Sequence, residues 1–297
     1  MMTDQDIHLI PGLYIIATPI GNMGDITLRA LETLRRADAI ACEDTRQAGK
    51  LAAAYGISAP RLPYHDHNAA EMRPKILSMI AGGKTVALVS DAGMPLISDP
   101  GYKLVAACVE KGLYVTCVPG ASASLTGLVL SALPSDRFYF GGFLPPKSGA
   151  RKNQLAALKN IPSTMVFYET APRLAASLAD MAETLGNRPA AVARELTKKF
   201  EEIRRGTLAA LAAHYAEAGE PKGEIVVIVG APDEAEAAAQ YDDAAVDQII
   251  EEALTQKGLR LKDAAAFVAA ETGRRKNDVY QRALLVKKRL ADGDAED

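Results

Sequence analysis

Short runs of apolar, largely β-branched residues alternate with amphipathic stretches through the first half of the chain. Residues 13–18, 39–42, 85–89 and 114–118 are continuous apolar runs bounded by Gly, Pro, Asp or Asn, the pattern of strands buried on both faces. Between them apolar positions recur at helical spacing over 27–36, where Leu28, Leu31 and Leu34 share a face, and over 46–55, 69–80, 102–110 and 122–132. Strand alternating with helix predicts a parallel sheet covered on both faces, because parallel neighbours need long crossover connections. The expectation is an α/β N-terminal domain over residues 11–135.

A breaker-rich junction, Pro134-Ser-Asp136 and then Phe138-Tyr-Phe-Gly-Gly-Phe-Leu-Pro-Pro146, opens a second set of elements. Strands are expected over 138–143, 164–168, 191–195, 202–204 and 224–229, and helices over 151–160, 174–185 and 208–216. This predicts a mixed sheet in a second α/β domain over 136–230. After Gly230-Ala-Pro232 an Ala- and acid-rich stretch to Asp243 reads as a linker. Two or three helices over 246–290 follow in a small C-terminal helical domain, 244–290, and residues 291–297 are expected to fray.

Composition narrows the class. At 297 residues, 48% hydrophobic and 24% charged, the chain is long enough for two domains and too apolar for a disordered segment. No apolar run approaches the roughly 18 residues that cross a bilayer, and the opening, with Asp4 and Asp6, is acidic where a secretory leader would be basic. A cytoplasmic protein with no membrane partner is expected. Cys42, Cys108 and Cys117 are odd in number and widely spaced, which argues against disulfides or a CxxC metal site and for buried thiols.

The net charge of −3 hides a segregation. From Asp233 to Glu252 there are eight acidic and no basic residues, whereas from Lys257 to Leu290 ten Lys and Arg stand against Asp263, Glu271 and Asp278. The acidic run reads as a solvated linker face, which leaves the basic stretch as a local anion-binding surface.

Three predicted parallel strands run into glycine-bearing loops: Thr18-Pro-Ile-Gly-Asn-Met-Gly24, Ser90-Asp-Ala-Gly-Met-Pro-Leu-Ile-Ser-Asp-Pro-Gly101 and Pro119-Gly-Ala-Ser-Ala-Ser124. Each alone could be an ordinary turn. Together at one sheet edge they point to a small-molecule site, since open α/β sheets bind ligands beyond the carboxyl ends of their strands. Neither GxGxxG nor GxxxxGK[ST] is present, so a phosphate cradle is not indicated. Asp91 can accept hydrogen bonds from a hydroxyl or amino group, and Ser122 can cap its helix or meet a ligand.

These loops resemble those of the tetrapyrrole-methylase superfamily, two-domain α/β methyltransferases that use S-adenosylmethionine. Cys42-Glu-Asp-Thr-Arg46, Asp91-Ala-Gly-Met-Pro-Leu-Ile-Ser-Asp-Pro-Gly101, Ala193-Arg-Glu-Leu-Thr-Lys198 and Pro221-Lys-Gly-Glu224, in that order, are similar to the branch that methylates a cytidine ribose 2′-hydroxyl in 16S ribosomal RNA. The resemblance spans residues 11–230 and extends into the helical tail. It departs at Met94, where the branch has Thr, and at Pro172, where it has His. It implies a cofactor cleft between the two domains, formed by Pro19, Ser90, Asp91, Ala92, Gly93, Ile97, Ser122 and Ala123, with Tyr168 or Glu169 and Leu196 from the second domain. It also implies a homodimer.

Methyl transfer to a ribose hydroxyl needs a group to take the proton or to stabilise the developing alkoxide, and it needs no metal. Glu43, Asp44, His67 and Lys198 are the candidates, unranked. His65 and His67 alternate like a metal pair, but no third ligand has matching spacing. Glu43 and Asp44 have an alternative role as partners of Arg46. Arg46, Arg173, Arg194 and Lys198 fall in the motifs near the expected cleft and could hold RNA phosphates. Residues 261–280 read as helix, glycine turn, helix, with Arg274, Arg275 and Lys276 at the turn, an arrangement suited to RNA. A methylase of a tetrapyrrole or other small acceptor, and a non-catalytic RNA-binding assembly factor, remain as alternatives; the first leaves the 43–46 motif and the basic tail unused.

Overall fold

The computed structural model describes residues 9–233 and 242–293. Strands β1 (Gly12–Ile16), β2 (Ala39–Cys42), β3 (Arg61–Pro63), β4 (Thr85–Val89) and β5 (Val115–Val118) form a parallel sheet in the order β3-β2-β4-β1-β5. Helices α1 (Leu28–Arg36), α2 (Thr45–Tyr55), α3 (Ala69–Ala81) and α4 (Tyr102–Glu110) alternate with the strands. On one face Leu31, Leu34 and Ala52 pack on Tyr14, Ile16 and Ile40; on the other, Ile76, Ile80 and Leu104 pack on Leu13, Val86 and Leu88. Burial on both sides is why these strands read as continuous apolar runs.

Strand β3 escapes the sequence pattern because it is short, largely exposed and carries Pro63. It lies at the sheet edge, where a missing N–H is tolerated. The opposite edge, β5, leaves Cys117 exposed, which corrects the expectation of three buried thiols; Cys42 and Cys108 are buried.

The second sheet comprises β6 (Phe138–Phe143), β7 (Thr164–Glu169), β8 (Pro189–Arg194), β9 (Glu202–Thr207) and β10 (Ile225–Val229), ordered β6-β7-β10-β8-β9. It is mixed: β6 and β7 are parallel and the other pairs antiparallel. Helices α6 (Ser148–Leu158), α7 (Leu174–Leu185) and α8 (Leu208–Ala218) cover one face with Leu155, Leu178, Met181 and Leu211. Helix α5 (Ala123–Ser131), which the sequence groups with the first domain, covers the other, where Leu128 packs among Val166, Ala191, Val226 and Ile228. Its buried side is otherwise small, Ser124, Gly127 and Ser131, so the helix lies close to the strands. Ile20 and Ala121 from the first domain join the same cluster, and the two domains therefore share a core.

The tail folds as three helices, α9 (Asp243–Thr255), α10 (Leu261–Thr272) and α11 (Lys276–Gly293), around Val246, Ile250, Val268, Val279 and Val286. Gly273, at φ 68°, ends α10 in the left-handed conformation and turns the chain into α11. The acidic run is not simply a solvated face. Asp243, Asp247 and Glu251 recur every fourth residue on α9 and pair with three arginines of the basic tail: Asp243 with Arg274 and Arg282 (both 2.7 Å), Asp247 with Arg282 (2.5 Å), and Glu251 with Arg289 (3.3 Å). Residues 291–293, expected to fray, continue α11, while most of the expected linker (234–241) and the final residues 294–297 lie outside the described residues. Among the described residues no helix is long and apolar enough to cross a membrane.

Candidate functional site

In the first sheet β4 and β5 flank β1, so the loops that leave these three strands meet at one edge. The loops after β1 and β4 are joined by paired main-chain hydrogen bonds, Thr18 N–H to Gly93 O (2.9 Å) and Gly93 N–H to Thr18 O (3.0 Å). The second domain closes over this edge. Asn22 N–H donates to the Thr197 hydroxyl (3.1 Å), and the Lys198 stem packs against Gly21.

Between the domains lies a cleft of about 510 Å³, within the roughly 300–1,000 Å³ of small-molecule sites. Of the residues expected to bind cofactor, Asp91, Ala92, Gly93, Ile97, Ser122, Ala123, Tyr168, Glu169 and Leu196 line it. Ser90 does not: it is buried, and its hydroxyl donates to the carbonyls of Ala92 (3.3 Å) and Gly93 (3.2 Å), shaping the loop from beneath. Pro19 is also outside the lining, between the bridged Thr18 and the cleft residue Ile20. Ser122 precedes α5 without a side-chain cap; its hydroxyl lies 3.1 Å from that of Ser124.

The two loops that face each other across the cleft hold most of the strained backbone. Leu96 and Ser98 on one, Glu195 and Thr197 on the other, have φ of 72°, 65°, 51° and 66°. Such conformations cost energy and persist only where surrounding contacts enforce them, as they do at ligand sites. Gly93, at φ 78°, is a position where a side chain would be both strained and crowded, its Cβ 3.2 Å from Ile20.

Glu169 lines the cleft, but its carboxylate is turned inward. It accepts from Ser177 and from Thr170 N–H (2.8 Å) and pairs with Arg173 (3.2 Å), so it is not available to a ligand. Arg173 in turn donates to the Leu144 carbonyl (2.5 Å), which makes it a brace for the turn after β6 rather than a free phosphate contact. Arg194 is similarly committed, to Glu202 (2.7 Å) and the Lys222 carbonyl (3.1 Å). Tyr168 has its ring 5.0 Å from Phe140 and 5.5 Å from Phe143; burial raises its hydroxyl pKa, partly offset by Ser124.

The four proton-handling candidates separate. Asp44 caps α2 through Arg46 N–H (2.8 Å) and grips the Arg46 guanidinium (2.7 Å); these bonds hold its carboxyl down at about 2. Glu43, at the end of β2, is exposed, and partial burial followed by the charges of Asp91 and Asp66 raises its pKa. His67 is exposed on the 64–68 turn, its ring 6.0 Å from His65, and neither lines the cleft. Burial works against the Lys198 charge, but ion pairs to Glu195 (2.9 Å) and Glu224 (3.1 Å) prevail and its pKa is raised. Among the described residues no cluster of His, Cys, Asp or Glu could hold a metal ion.

Several lining residues were not singled out from the sequence. Asp99 sits in the quoted 90–101 loop and Glu224 in the Pro221-Lys-Gly-Glu224 motif, so their motifs were legible although their roles were not. Phe143 follows a register shift between Phe140 and Gly142 that no local pattern announces. Among the described residues the lining holds the carboxylates of Asp91, Asp99 and Glu224 and no Lys or Arg. That charge set repels phosphates and suits a cationic ligand with hydroxyl or ammonium donors. The predicted RNA contacts lie elsewhere: Arg46 at the start of α2 is 87% exposed and Arg275 is 79% exposed, although paired with Asp278. Arg274 is tied to Asp243, and Lys276 opens α11 on the surface.

Comparison with known proteins agrees with this geometry. The family described as Tetrapyrrole (Corrin/Porphyrin) Methylases matches residues 12–212, and the RsmI C-terminal HTH domain matches residues 240–287. Proteins named "Ribosomal RNA small subunit methyltransferase I" are 51% identical over 287 residues in Mesorhizobium japonicum (96% of each chain) and 54% identical over 279 residues in Erythrobacter litoralis (94% of this chain, 96% of that one). Solved structures share the fold at lower identity: a diphthine synthase at 15% identity and TM-score 0.57, covering 73% of this chain and 89% of that one, and a uroporphyrin-III-C-methyltransferase from Thermus thermophilus at 21% and 0.52, covering 74% and 94%. The chain thus belongs to the tetrapyrrole methylase family, in the branch whose curated members are named ribosomal RNA small subunit methyltransferase I.

Proposed function

We propose that the protein transfers a methyl group from S-adenosylmethionine to the 2′-hydroxyl of a cytidine ribose in small-subunit (16S) ribosomal RNA. The carrying observation is the carboxylate-bearing cleft, with no Lys or Arg among its described lining residues, built by the methylase fold and joined in one chain to a helical tail of the branch's own type. The residues present fit that cofactor: its charge is positive at sulfur, its amino and hydroxyl groups need acceptors, and Asp91 and Glu224 offer them. When bound, it supplies an electrophilic methyl carbon on a sulfonium.

The chain's own groups then bind, orient and exclude water. Leu196, held in the strained 195–197 loop, presents main chain to an adenine; Ser122 and Ala123 meet the ligand at the start of α5; Ile97, Tyr168 and Phe143 provide apolar wall. RNA phosphates are held outside the cleft by Arg46 and by Arg275 and Lys276 of the tail. We further infer a cytoplasmic homodimer. Leu125 and Val129, one turn apart on α5 and 49% and 75% exposed, form an apolar ridge suited to a second copy of this chain.

The test is incubation of the purified protein with labelled S-adenosylmethionine and small ribosomal subunits that lack the modification, followed by digestion to nucleosides. Label on a cytidine ribose is expected. Label on a base, or none despite cofactor binding, refutes the reading. Truncation after Gly230 is expected to weaken RNA binding and flatten its salt dependence while sparing cofactor affinity; an unchanged salt slope refutes the role given to the tail.

A further inference from the structure

We propose that Phe200, flanked by Lys199 and Lys222, is a stacking platform on the second-domain rim of the cleft that holds an unpaired base of the acceptor RNA strand. The inference rests on the RNA methyltransferase reading above and deepens it by naming where that domain grips its substrate.

The cleft itself repels RNA phosphates, since its described lining carries carboxylates and no Lys or Arg. The grip must therefore come from the rim. On the first-domain side Arg46 is exposed, two residues beyond Asp44, whose N–H donates to the cleft residue Asp91 (3.1 Å). On the second-domain side Arg173 and Arg194 are committed to Glu169 and Glu202, and Lys198 to Glu195 and Glu224. Lys199 and Lys222 are both exposed, and neither makes an ion pair among the described residues. Lys199 and Phe200 come one and two residues after Lys198, and Lys222 two before the lining residue Glu224, so the Lys198–Glu224 pair (3.1 Å) gathers all three at one place.

Packing does not account for the ring. Phe200 is 65% exposed, the most exposed of the six phenylalanines, and among the described residues it joins none of the buried apolar clusters. The Lys199 ammonium lies 5.6 Å from its centroid. A cation beside an open aromatic face is the combination that takes a phosphate and a base of single-stranded nucleic acid together.

The loop beneath is stiff. Glu195 and Thr197 hold φ of 51° and 66°, Lys198 N–H donates to the Glu195 carbonyl (3.0 Å), Glu201 N–H to the Lys198 carbonyl (3.1 Å) and Thr197 N–H to the Glu201 carboxylate (2.7 Å). Asn22 N–H ties the same loop to the first domain through the Thr197 hydroxyl. A ring presented on a fixed loop loses little freedom when a base covers it.

These features select unpaired RNA. A base covers the ring only when its own face is free, as in a loop or a splayed strand, and the two lysines meet the phosphates on either side. An apolar protein surface would cover the ring and leave both lysine charges without acceptors.

The chain has no tryptophan, so Phe200→Trp in the full-length protein installs a sole reporter in the platform. A single-stranded RNA of about 12 nucleotides is expected to quench its emission, and the same strand annealed into a duplex to quench it far less. By anisotropy with that strand labelled, Phe200→Ala should weaken binding about tenfold and Phe200→Leu nearly as much, while Phe200→Trp keeps the affinity. Lys199→Gln and Lys222→Gln should each reduce the salt slope by about 0.7, which Phe200→Ala should leave unchanged. Phe200→Ala should also raise the KM for undermethylated small subunits more than it lowers kcat, with S-adenosylhomocysteine affinity by calorimetry within about twofold of the original. Unquenched emission, equal quenching by duplex, a leucine variant that binds RNA as well as the original, or unchanged salt slopes in both lysine variants overturns the platform. So does sedimentation showing that Phe200→Ala dissociates a dimer, which would give the ring to a second copy of this chain. Quenching by single-stranded RNA without any ribose methylation would refute the proposed function and leave the platform standing.

Discussion

Gly127 is where helix α5 lies against strand β10. A Cβ built there would stand 3.1 Å from Val226 Cγ1 and 3.3 Å from Ile228 Cδ1, closer than comfortable packing allows. In a helix interior Ala is better than Gly by about 1 kcal/mol, and overpacking a core costs about 1–3 kcal/mol, so Gly127→Ala should come out near neutral. Gly127→Val adds two methyl groups beyond that Cβ and recovers less helix propensity, and should lose about 2 kcal/mol. Urea denaturation followed by circular dichroism measures this. Because Ser122 and Ala123 at the head of α5 and Val226 on β10 all line the cleft, the same displacement should weaken S-adenosylhomocysteine about tenfold, or 1.4 kcal/mol, by calorimetry. A Val variant with unchanged midpoint and affinity would show that the two domains do not depend on this close contact.

Glu169→Ala removes the buried carboxylate that Ser177, Thr170 N–H and Arg173 share, and should cost about 2–3 kcal/mol in urea melts, less than a fully buried pair because Arg173 retains some solvent. In the tail, a double-mutant cycle on Asp247 and Arg282, which meet through two hydrogen bonds, should give a coupling of about 0.5–1 kcal/mol; zero coupling would make the α9–α11 ladder incidental. Asp44 titrates at about 2 in the folded protein, below the ordinary aspartate range, so the stability it lends is complete above about pH 4 and lost as pH falls through about 2. NMR should place its midpoint there, and Arg46→Met should move it up.

Where the chain's own neighbours decide structure, the pattern of residues was enough. The four apolar runs of the first sheet, the strand-to-loop junctions at Thr18, Ser90 and Pro119, and the helix–glycine–helix of the tail could all be read because burial on both faces, glycine conformations and helical spacing are local properties. The edge strand β3 could not: its exposed residues carry no alternation, and only pairing with β2 makes it a strand. Helix α5 has a small-residue face that local spacing detects but cannot assign to a sheet; shape complementarity with β10 chose the second domain.

The site shows the same division. Its loops were legible from motif, but whether a carboxylate in them is free depends on partners far along the chain. Glu169 accepts from Ser177 and pairs with Arg173, Lys198 is claimed by Glu224, and the acidic residues of α9 meet arginines more than 30 positions away. Asp99 looks like any aspartate of its loop until the sheet below and the second domain above enclose it. Hydrophobic periodicity and turn chemistry act between near neighbours and are therefore written in the sequence; solvation, charge pairing and close packing act between whichever residues the fold brings together, and so were settled only by the tertiary structure.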